Sequence, residues 1–423
     1  MTEKVISTRL NDNYEVLKHS SGLTVYLYKM PKYSTTYASI STKYGSNYLN
    51  FTQNNEKIST VPGIAHFLEH KLFQNQDGTD AFELFADTGA NANAFTSFEK
   101  TAYLFACTND FEKNLDILLD FVFNPYFTPE SVEKEIGIIA QEINMYDDEP
   151  SWKVFKNLMQ GLYVNHPIRE DIAGDVKTIN EVTADTLYKC YNSFYTPENM
   201  VLSVAGDVSM EDIEKICDKN VKKSQNPTAT PETVNEPDEI NKEKTVKSMD
   251  ISIPYFQIGY KGKNKSLIEN ETDSIYGEIL VDIIAGDTSE LYRTLYEKGL
   301  INDAFGAEVM SGNDYYVTVF SGESKDPEKV YETLKEKIKE LKEKGINDED
   351  FEIAKRSMYG RYVRIFSRPS SVASLMSSCH FSNLEMYDII EKIANAKKSD
   401  VLRVLNETLR ENKSAISIIT PKE

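Results

Sequence analysis

The stretch His66-Phe67-Leu68-Glu69-His70 carries two imidazoles and one carboxylate at helical spacing. At about 100° per residue, His66, Glu69 and His70 fall on one face of a helix, and Phe67 and Leu68 fall on the opposite side. Histidines four residues apart can both direct a ring nitrogen at one Zn²⁺ about 2.0 to 2.1 Å away, while the glutamate between them holds a water instead of the metal. The pattern is the inverted zinc motif His-x-x-Glu-His, and it predicts a metal site with its own base.

Chance is the alternative explanation, because two histidines four residues apart recur in long chains. This chain has only five histidines, and two of them stand at ligand spacing around a glutamate. We therefore favour the metal site. Nitrogen and oxygen donors favour zinc over manganese or cobalt.

A second amphipathic helix is predicted from Thr128 to Tyr146, with Thr128 as its N-cap and Pro129 at its first position. Glu135 and Glu142 are seven residues apart and lie one above the other on a single face of it. Glu142 could complete a His₂Glu site that leaves one position open for water. Glu135 could orient a histidine or that water, or it could be an ordinary solvated carboxylate in an acidic chain.

The region Ala90–Cys107 alternates small and large residues and ends in a run of high β propensity. It predicts two strands joined near Phe98-Glu99-Lys100. An interior hairpin that binds nothing is one interpretation of it.

The length of 423 residues favours two domains. A stretch at 223–246, rich in Pro, Thr, Asn and charge, predicts a linker between a domain at 1–222 and a domain at 247–423. A similar order of strands and helices recurs on both sides. The expected fold class is α+β, with two similar domains that each consist of a mixed β-sheet covered by helices.

The net charge limits the classes of molecule that the chain is expected to bind. A formal net charge of -20 argues against nucleic acid and acidic lipid. It could favour basic peptides if the acidic groups lined an active cavity, but a solvated acidic exterior is the preferred explanation.

The cellular compartment is predicted from the absence of a membrane-spanning run and of a signal peptide in the sequence. No apolar run approaches the roughly 20 residues that span a bilayer, and Met1-Thr2-Glu3-Lys4 does not begin a signal peptide, so we expect a cytoplasmic protein. The four cysteines show no C-x-x-C spacing and are expected to be reduced, partly buried thiols that are neither ligands nor nucleophiles.

The chain resembles the pitrilysin/insulinase family of zinc peptidases, the inverzincins, which includes the mitochondrial processing peptidase. Within that family, the chain resembles the YmfH-like processing-protease homologues of Gram-positive bacteria. The resemblance rests on three stretches in matching order and spacing, Pro62–Phe73, Gly89–Ser97 and Glu135 with Glu142. It covers the N-terminal half closely and the C-terminal half only in its order of elements.

The resemblance implies a role for each motif residue. His66, His70 and Glu142 bind one zinc ion per chain, Glu69 is the general base and then the proton shuttle, and Glu135 matches the family's second catalytic-site glutamate. Zinc lowers the pKa of its water towards roughly 7 and polarises the scissile carbonyl, so that Glu69 can take the proton.

The resemblance also implies how substrate binds. Asn93, Ala94, Phe95 and Thr96 form an edge strand to which a peptide adds as a further strand, its scissile bond held over the zinc. Such binding favours unfolded peptides over folded proteins.

The second half has no second zinc motif. It departs from the family pattern at one place, because where many members carry an Arg and a Tyr near the zinc, this chain has Tyr296 and, approximately, Asn302. Its lone His380 is expected to be a packing or surface residue rather than a ligand.

The family's active chamber is closed by four homologous domains, so a two-domain chain is one half of a clamshell chamber. A heterodimer with a zinc-less sister chain is favoured over a homodimer.

Two other function classes stay open. The chain could be a non-catalytic or partner-dependent binding subunit of a heterodimeric peptidase, although its intact motif argues against an idle site. It could also be a zinc hydrolase acting on something other than peptides, and the strand predicted at Asn93–Ser97 favours peptides.

Overall fold

The computed structural model of the chain describes residues 2–263 and 265–422. These residues form two compact units, each assembled from separate segments of the chain. The first unit comprises Met1–Ile143, Asp171–Glu232 and Arg364–Tyr387. The second comprises Asn144–Glu170, Thr233–Val363 and Asp388–Glu423.

The first unit contains a seven-stranded and a three-stranded sheet. Its strands are β1 (Thr2–Ser7), β2 (Asp12–Lys18), β3 (Thr24–Lys29), β4 (Thr36–Thr42), β5 (Asn50–Gln53), β6 (Glu56–Ser59), β7 (Asn91–Thr96), β8 (Thr101–Cys107), β9 (Met200–Gly206) and β10 (Thr230–Pro231). The seven-stranded sheet has the order β1-β2-β3-β9-β4-β8-β7, and the smaller one has the order β10-β5-β6. Among the described residues of this unit, β3 and β9 pair in parallel and the other strand pairs are antiparallel. Strand β7 therefore lies at an edge of the large sheet.

The second unit contains a five-stranded sheet in the order β11-β15-β12-β14-β13. Its strands are β11 (Lys244–Met249), β12 (Tyr255–Lys261), β13 (Gly306–Gly312), β14 (Tyr315–Glu323) and β15 (Ser414–Pro421). Strands were predicted between Val246 and Tyr260, and β11 and β12 lie there, separated by Pro254 and its neighbours.

Helices cover both large sheets. They are α1 (Ile64–Leu72), α2 (Ala81–Asp87), α3 (Phe111–Phe123), α4 (Pro129–Asp147), α5 (Pro150–Leu162), α6 (Val176–Ile179), α7 (Ala184–Phe194), α8 (Met210–Asn220), α9 (Leu267–Ala285), α10 (Glu290–Glu297), α11 (Pro327–Lys344), α12 (Asp348–Ile365), α13 (Pro369–Ser382), α14 (Met386–Asn395) and α15 (Lys398–Thr408). The predicted fold class, two sheets each covered by helices, is confirmed.

One helix of each unit comes from the far half of the chain. Helix α13 packs on β4 and β9 of the first unit, where the Ser377 hydroxyl donates to Ser41 Oγ over 3.1 Å. Helix α5 packs on β12 and β15 of the second unit. It approaches closely because a Cβ on Gly259 would lie 2.6 Å from the Leu162 side chain.

This exchange differs from the division of the chain predicted at 222 and 247. The change from the first unit to the second at Glu232 lies inside the predicted linker, but Asn144–Glu170 and Arg364–Tyr387 belong to the opposite unit. Helix-to-sheet packing over so long a sequence separation has no local signature in the sequence.

The first unit's core fills the space between one face of the large sheet and the helices. Phe67 and Leu68 of α1, Tyr103 of β8 and Leu118 of α3 are fully buried there. All four cysteines are buried and free. His380 packs against Tyr26, whose hydroxyl lies 3.2 Å from Nδ1 of His380. No helix among the described residues is long and apolar enough to cross a membrane.

Candidate metal centre

Helix α1 is held at its start by two glycines. Gly63 has a φ of 95°, and a Cβ there would lie 2.5 Å from the carbonyl oxygen of Ala173. Gly174 has a φ of 73° and would clash in the same way with Pro62. Only glycine fits both constraints without strain. The entry to the motif helix is therefore fixed against the loop at Ala173 and Gly174.

Helix α4 carries the two predicted glutamates towards α1. It begins at Pro129 as predicted, and the Thr128 hydroxyl accepts from the backbone N–H of Ser131 at 3.1 Å. Ile139 and Ile143 are buried in the core. Their packing fixes the rotation of the helix, so Glu135 and Glu142 both face the histidines of α1.

The three predicted ligands meet at one point. His66, His70 and Glu142 each offer a donor atom, and these atoms all lie within 4.8 Å of one another. Nε2 of His66 is 3.7 Å from Glu142 Oε1, and Nε2 of His70 is 3.4 Å from Glu142 Oε2. Both distances exceed an ordinary hydrogen bond, so the atoms converge without bonding one another. Among the residues that the structure describes, no other group of three such side chains converges in this way.

The spacing of these donors suits zinc. In a tetrahedral site with bonds of about 2.1 Å, neighbouring donor atoms lie about 3.4 Å apart. The two separations to Glu142, 3.4 and 3.7 Å, are close to that edge length. Three nearby carboxylates, Glu69, Glu135 and Glu142, with the ammonium of Lys71 beside Glu135, leave an excess of negative charge that a divalent cation would neutralise. The residues present therefore fit a zinc ion.

The two histidines differ in their protonation. Burial, with His70 beside it, lowers the pKa of His66 to about 3, so that ring is neutral at pH 7 and able to bind a metal. Burial alone would lower the pKa of His70, but the hydrogen bond to Glu135 and the surrounding carboxylates outweigh it and raise this pKa. Without metal, His70 therefore holds a proton more readily than His66.

Glu135 contacts a histidine rather than solvent. Its Oε1 lies 3.2 Å from His70 Nδ1, which places the proton on Nδ1 and leaves Nε2 facing Glu142. The other oxygen lies 3.4 Å from the ammonium of Lys71. Burial would raise the pKa of Glu135, but His70 and Lys71 outweigh it and lower this pKa.

Lys71 was missed by the sequence reasoning. It is 2% exposed, and its ammonium donates to Gln74 Oε1 at 2.6 Å as well as contacting Glu135. A lysine directly after the last histidine of the motif, on a helix with little exposed surface, was the available signal. Its charge holds Glu135 ionised beside His70.

Glu69 lies next to the predicted peptide strand. The Thr96 hydroxyl donates to its Oε2 at 2.9 Å. The Thr101 hydroxyl contributes its own proton to the Tyr44 carbonyl, so the proton of Thr96 is free for Glu69. Burial raises the pKa of Glu69, more than His70 and Thr96 lower it.

Strand β7 carries Asn93, Ala94, Phe95 and Thr96 at the edge of the sheet, as predicted. It pairs with β8 on one side only. The N–H of Ala94 donates to the side chain of Asn93 at 2.8 Å. Phe95 is 40% exposed.

The residues predicted in place of an Arg and a Tyr lie in the second unit. Tyr296, on α10, is 55% exposed and stacks on Tyr292 with ring centroids 6.0 Å apart. Asn302 donates to Glu323 at 2.7 Å. Tyr296 lacks the charge of the arginine expected at its position, and Asn302 lacks the phenol of the tyrosine expected at its position.

Two family profiles match this chain. Residues 53–176 match Insulinase (Peptidase family M16), and residues 181–358 match the Peptidase M16 inactive domain. The chain belongs to the M16 family. The resemblance to the insulinase peptidases predicted from the sequence is confirmed. The profile described as inactive covers much of the half that lacks the candidate metal ligands.

Relatives agree with that membership. The uncharacterized zinc protease YmfH of Bacillus subtilis is 36% identical, over 96% of each chain. The crystal structure of an M16-like peptidase from Alicyclobacillus acidocaldarius is 30% identical with a TM-score of 0.93, over 100% of this chain and 99% of that one. A protease from Helicobacter pylori shares the fold with a TM-score of 0.84 at 21% identity, over 96% and 99% of the two chains.

Proposed function

We propose that the chain is a zinc metalloendopeptidase that hydrolyses unstructured peptides or precursor segments. The observation that carries the proposal is the convergence of His66, His70 and Glu142 at tetrahedral spacing, beside a carboxylate, Glu69, that is free to act as a base. Similarity to proteins named zinc proteases supports it.

In this proposal His66, His70 and Glu142 hold the zinc. A bound zinc ion supplies Lewis acidity, because it polarises the scissile carbonyl and lowers the pKa of a water molecule. The chain prepares the ligands itself. Glu135 accepts a hydrogen bond from the Nδ1–H group of His70, which leaves the Nε2 lone pair available for the metal. Burial keeps His66 neutral.

Glu69 moves the proton. Thr96 binds Oε2, which leaves Oε1 of Glu69 to accept a proton from the attacking water and to pass it to the leaving amine. Burial raises the pKa of Glu69 towards the pH at which the enzyme works, which favours a group that must first take and then release a proton.

The peptide binds as an added strand along β7. Its main chain replaces the Asn93 side chain on the N–H of Ala94 and continues towards Thr96, next to Glu69. Strand addition needs an extended segment, which a folded protein does not present. Strand β7 is also the reason to prefer a peptide over another zinc hydrolase substrate.

Cleavage of short unstructured peptides by the zinc-loaded chain, beside its Glu69→Gln variant, tests the proposal. We expect the variant to retain the metal and to cleave at least about 10² to 10⁴ times more slowly. Mass spectrometry of the products and metal analysis of both proteins are the measurements. Equal rates for the two proteins would contradict the assignment of Glu69.

A partner-dependent form of this function is favoured by one observation. Asn302 is bound to Glu323, and Tyr296 stands where an arginine was expected, so this chain does not supply those substrate contacts itself. In this form the chain is half of a chamber and pairs with a zinc-less sister chain rather than with itself. Size exclusion with and without the sister chain tests it, and a stable, active homodimer would contradict it.

A further inference from the structure

Lys100 is a partly buried cation without an acidic partner. It ends the turn between β7 and β8, and its ammonium donates to the Ser378 hydroxyl on α13 at 3.0 Å. Within residues 2–263 and 265–422 it forms no ion pair, although the chain carries 67 acidic side chains. The buried lysines Lys71 and Lys261 show the usual arrangement, since each contacts a glutamate.

The ammonium of Lys100 lies on the far side of β7 from Glu69. Side chains alternate along a strand, so Thr96 faces Glu69 and Phe95 faces the other way. The Lys100 ammonium is 5.9 Å from the centre of the exposed Phe95 ring. A peptide added to β7 carries every second side chain onto this face, within reach of Lys100.

The environment of Lys100 suits a carboxylate. Burial lowers the pKa of its ammonium to about 8, because a neutral hydroxyl and an aromatic ring replace water only in part. The group is still mostly protonated at pH 7. A carboxylate at this place would form a charge-assisted hydrogen bond to it, and the hydroxyl of Ser378 offers a second donor.

We infer that Lys100, with Ser378 and Phe95, forms a subsite for an acidic side chain of a peptide bound along β7. The inference rests on the proposed function, because it uses the same strand. In this arrangement the ammonium pairs with the carboxylate, and the Phe95 ring packs against the methylene groups that carry it. A preference for acidic side chains at one position follows, in a protein whose net charge alone would favour basic ones.

The test uses short unstructured peptides that differ only by Glu or Gln at each position in turn. Binding by fluorescence anisotropy and cleavage by mass spectrometry are both measured on the zinc-loaded full-length chain. The variants are Lys100→Met, Lys100→Arg and Ser378→Ala. Lys43→Met is the matched control, because Lys43 also donates to α13, at the Phe381 carbonyl over 3.1 Å, but follows β4 instead of β7.

We expect the wild type to favour Glu over Gln about tenfold at one position. Lys100→Met should remove this preference while binding the Gln peptides normally, Lys100→Arg and Lys43→Met should keep it, and Ser378→Ala should reduce it. An unchanged preference in Lys100→Met, or none in the wild type, would overturn the inference. Selective binding that depends on Lys100 without any cleavage would instead uphold the subsite and count against the proposed peptidase.

Discussion

In each unit a helix lies beside a hairpin at the edge of the sheet, but the two helices differ in how the carboxylate next to a buried polar group is paired. In the second unit, α9 lies beside β13, and its buried Asp273 is paired with Lys265 at 2.5 Å and Arg403 at 2.6 Å. In the first unit, α1 lies beside β7, and the nitrogens of His66 and His70 face Glu142 at distances too long for a hydrogen bond.

Pairing of the buried polar groups therefore distinguishes a candidate metal site from the fold that carries it. Buried polar groups normally find partners within the protein. Where buried polar groups converge without hydrogen bonds to one another and carry excess negative charge, they are suited to bind a cation. The same architecture with its carboxylate neutralised by lysine and arginine has no such need.

Removing a candidate ligand should have the largest effect on the difference between the two units. We expect Glu142→Ala to reduce bound zinc from about one ion per chain to nearly none, because two imidazoles remain from a three-ligand site. Asp273→Asn is the matched change in the second unit. It should keep the zinc and lower the free energy of unfolding by about 3 kcal/mol, since Lys265 and Arg403 lose a buried partner. Metal analysis and urea unfolding measure the two effects, and full zinc occupancy in Glu142→Ala would refute the ligand assignment.

Replacing Glu135 should have the next largest effect. Glu135→Gln keeps the shape of the side chain but removes the charge that orients His70, so we expect zinc affinity to fall about 10- to 100-fold. Competition with a chelator gives the affinity. The control is Glu133→Gln on the exposed side of the same helix. If both variants bind zinc like the wild type, the contact with His70 does not tune the metal.

The Thr96 contact can be tested by removing one hydroxyl. We expect Thr96→Val to lower kcat about tenfold with little change in KM, because Glu69 loses the donor that orients it while the strand backbone stays in place. Thr96→Ser should restore most of the rate. Ser97→Ala disturbs the hairpin turn without touching Glu69 and serves as the control. A loss confined to KM would assign Thr96 to peptide binding alone.

The last prediction concerns folding stability and a histidine whose two ring nitrogens are both hydrogen-bonded. In the second unit, His166 Nδ1 accepts from the N–H of Ile168 at 3.1 Å, and Nε2 donates to the Asn313 carbonyl at 3.2 Å. Burial lowers the pKa of this ring to about 4, so the unfolded chain takes up the proton first as the pH falls. The stabilisation is complete above about pH 6.5 and is lost between there and pH 4.

At pH 5 this loss should amount to about 2 kcal/mol. Urea unfolding at pH 7.5 and pH 5 measures it through the fluorescence of Trp152, the single tryptophan, which lies in the second unit. His166→Asn retains an acceptor for Ile168 but does not titrate, and it should lose correspondingly less stability. Equal losses of stability in the wild type and His166→Asn would contradict the assignment of this pH dependence to His166.

Local signals in the sequence predicted much of the fold and the ligands. The sequence patterns predict helices at Phe111–Phe123 and Ala184–Phe194 and a strand at Met200–Gly206, and these bounds coincide with α3, α7 and β9. Helix α7 begins at a capping box on Thr183. Helical spacing placed His66 with His70, and Glu135 with Glu142, on one face of each helix, and the family resemblance implied that the two helices meet. Helix α5 was missed although Pro150 stands at its first position, and α8 was missed although Ser209 caps it.

What escaped prediction depends on contacts between distant segments. The bond from Thr96 to Glu69 needs the sheet and α1 to be packed together, and periodicity within either element does not encode it. The placement of Lys71 beside Glu135 spans 64 residues. The assignment of α5 and α13 to their sheets is of the same kind, because an amphipathic helix does not specify which sheet it will cover.

The origin of α13 has a consequence for the order of synthesis. The first unit includes Arg364–Tyr387, so its sheet waits for a helix that leaves the ribosome after most of the second unit. At about 5 to 20 residues per second, the delay after Glu232 is on the order of ten seconds or more. During that time the strip of Ser39, Ser41 and Ser203 that α13 will help to cover faces water, which small polar side chains tolerate. A chain that ends at Glu232 would carry all of its candidate ligands and still lack one wall of its own domain.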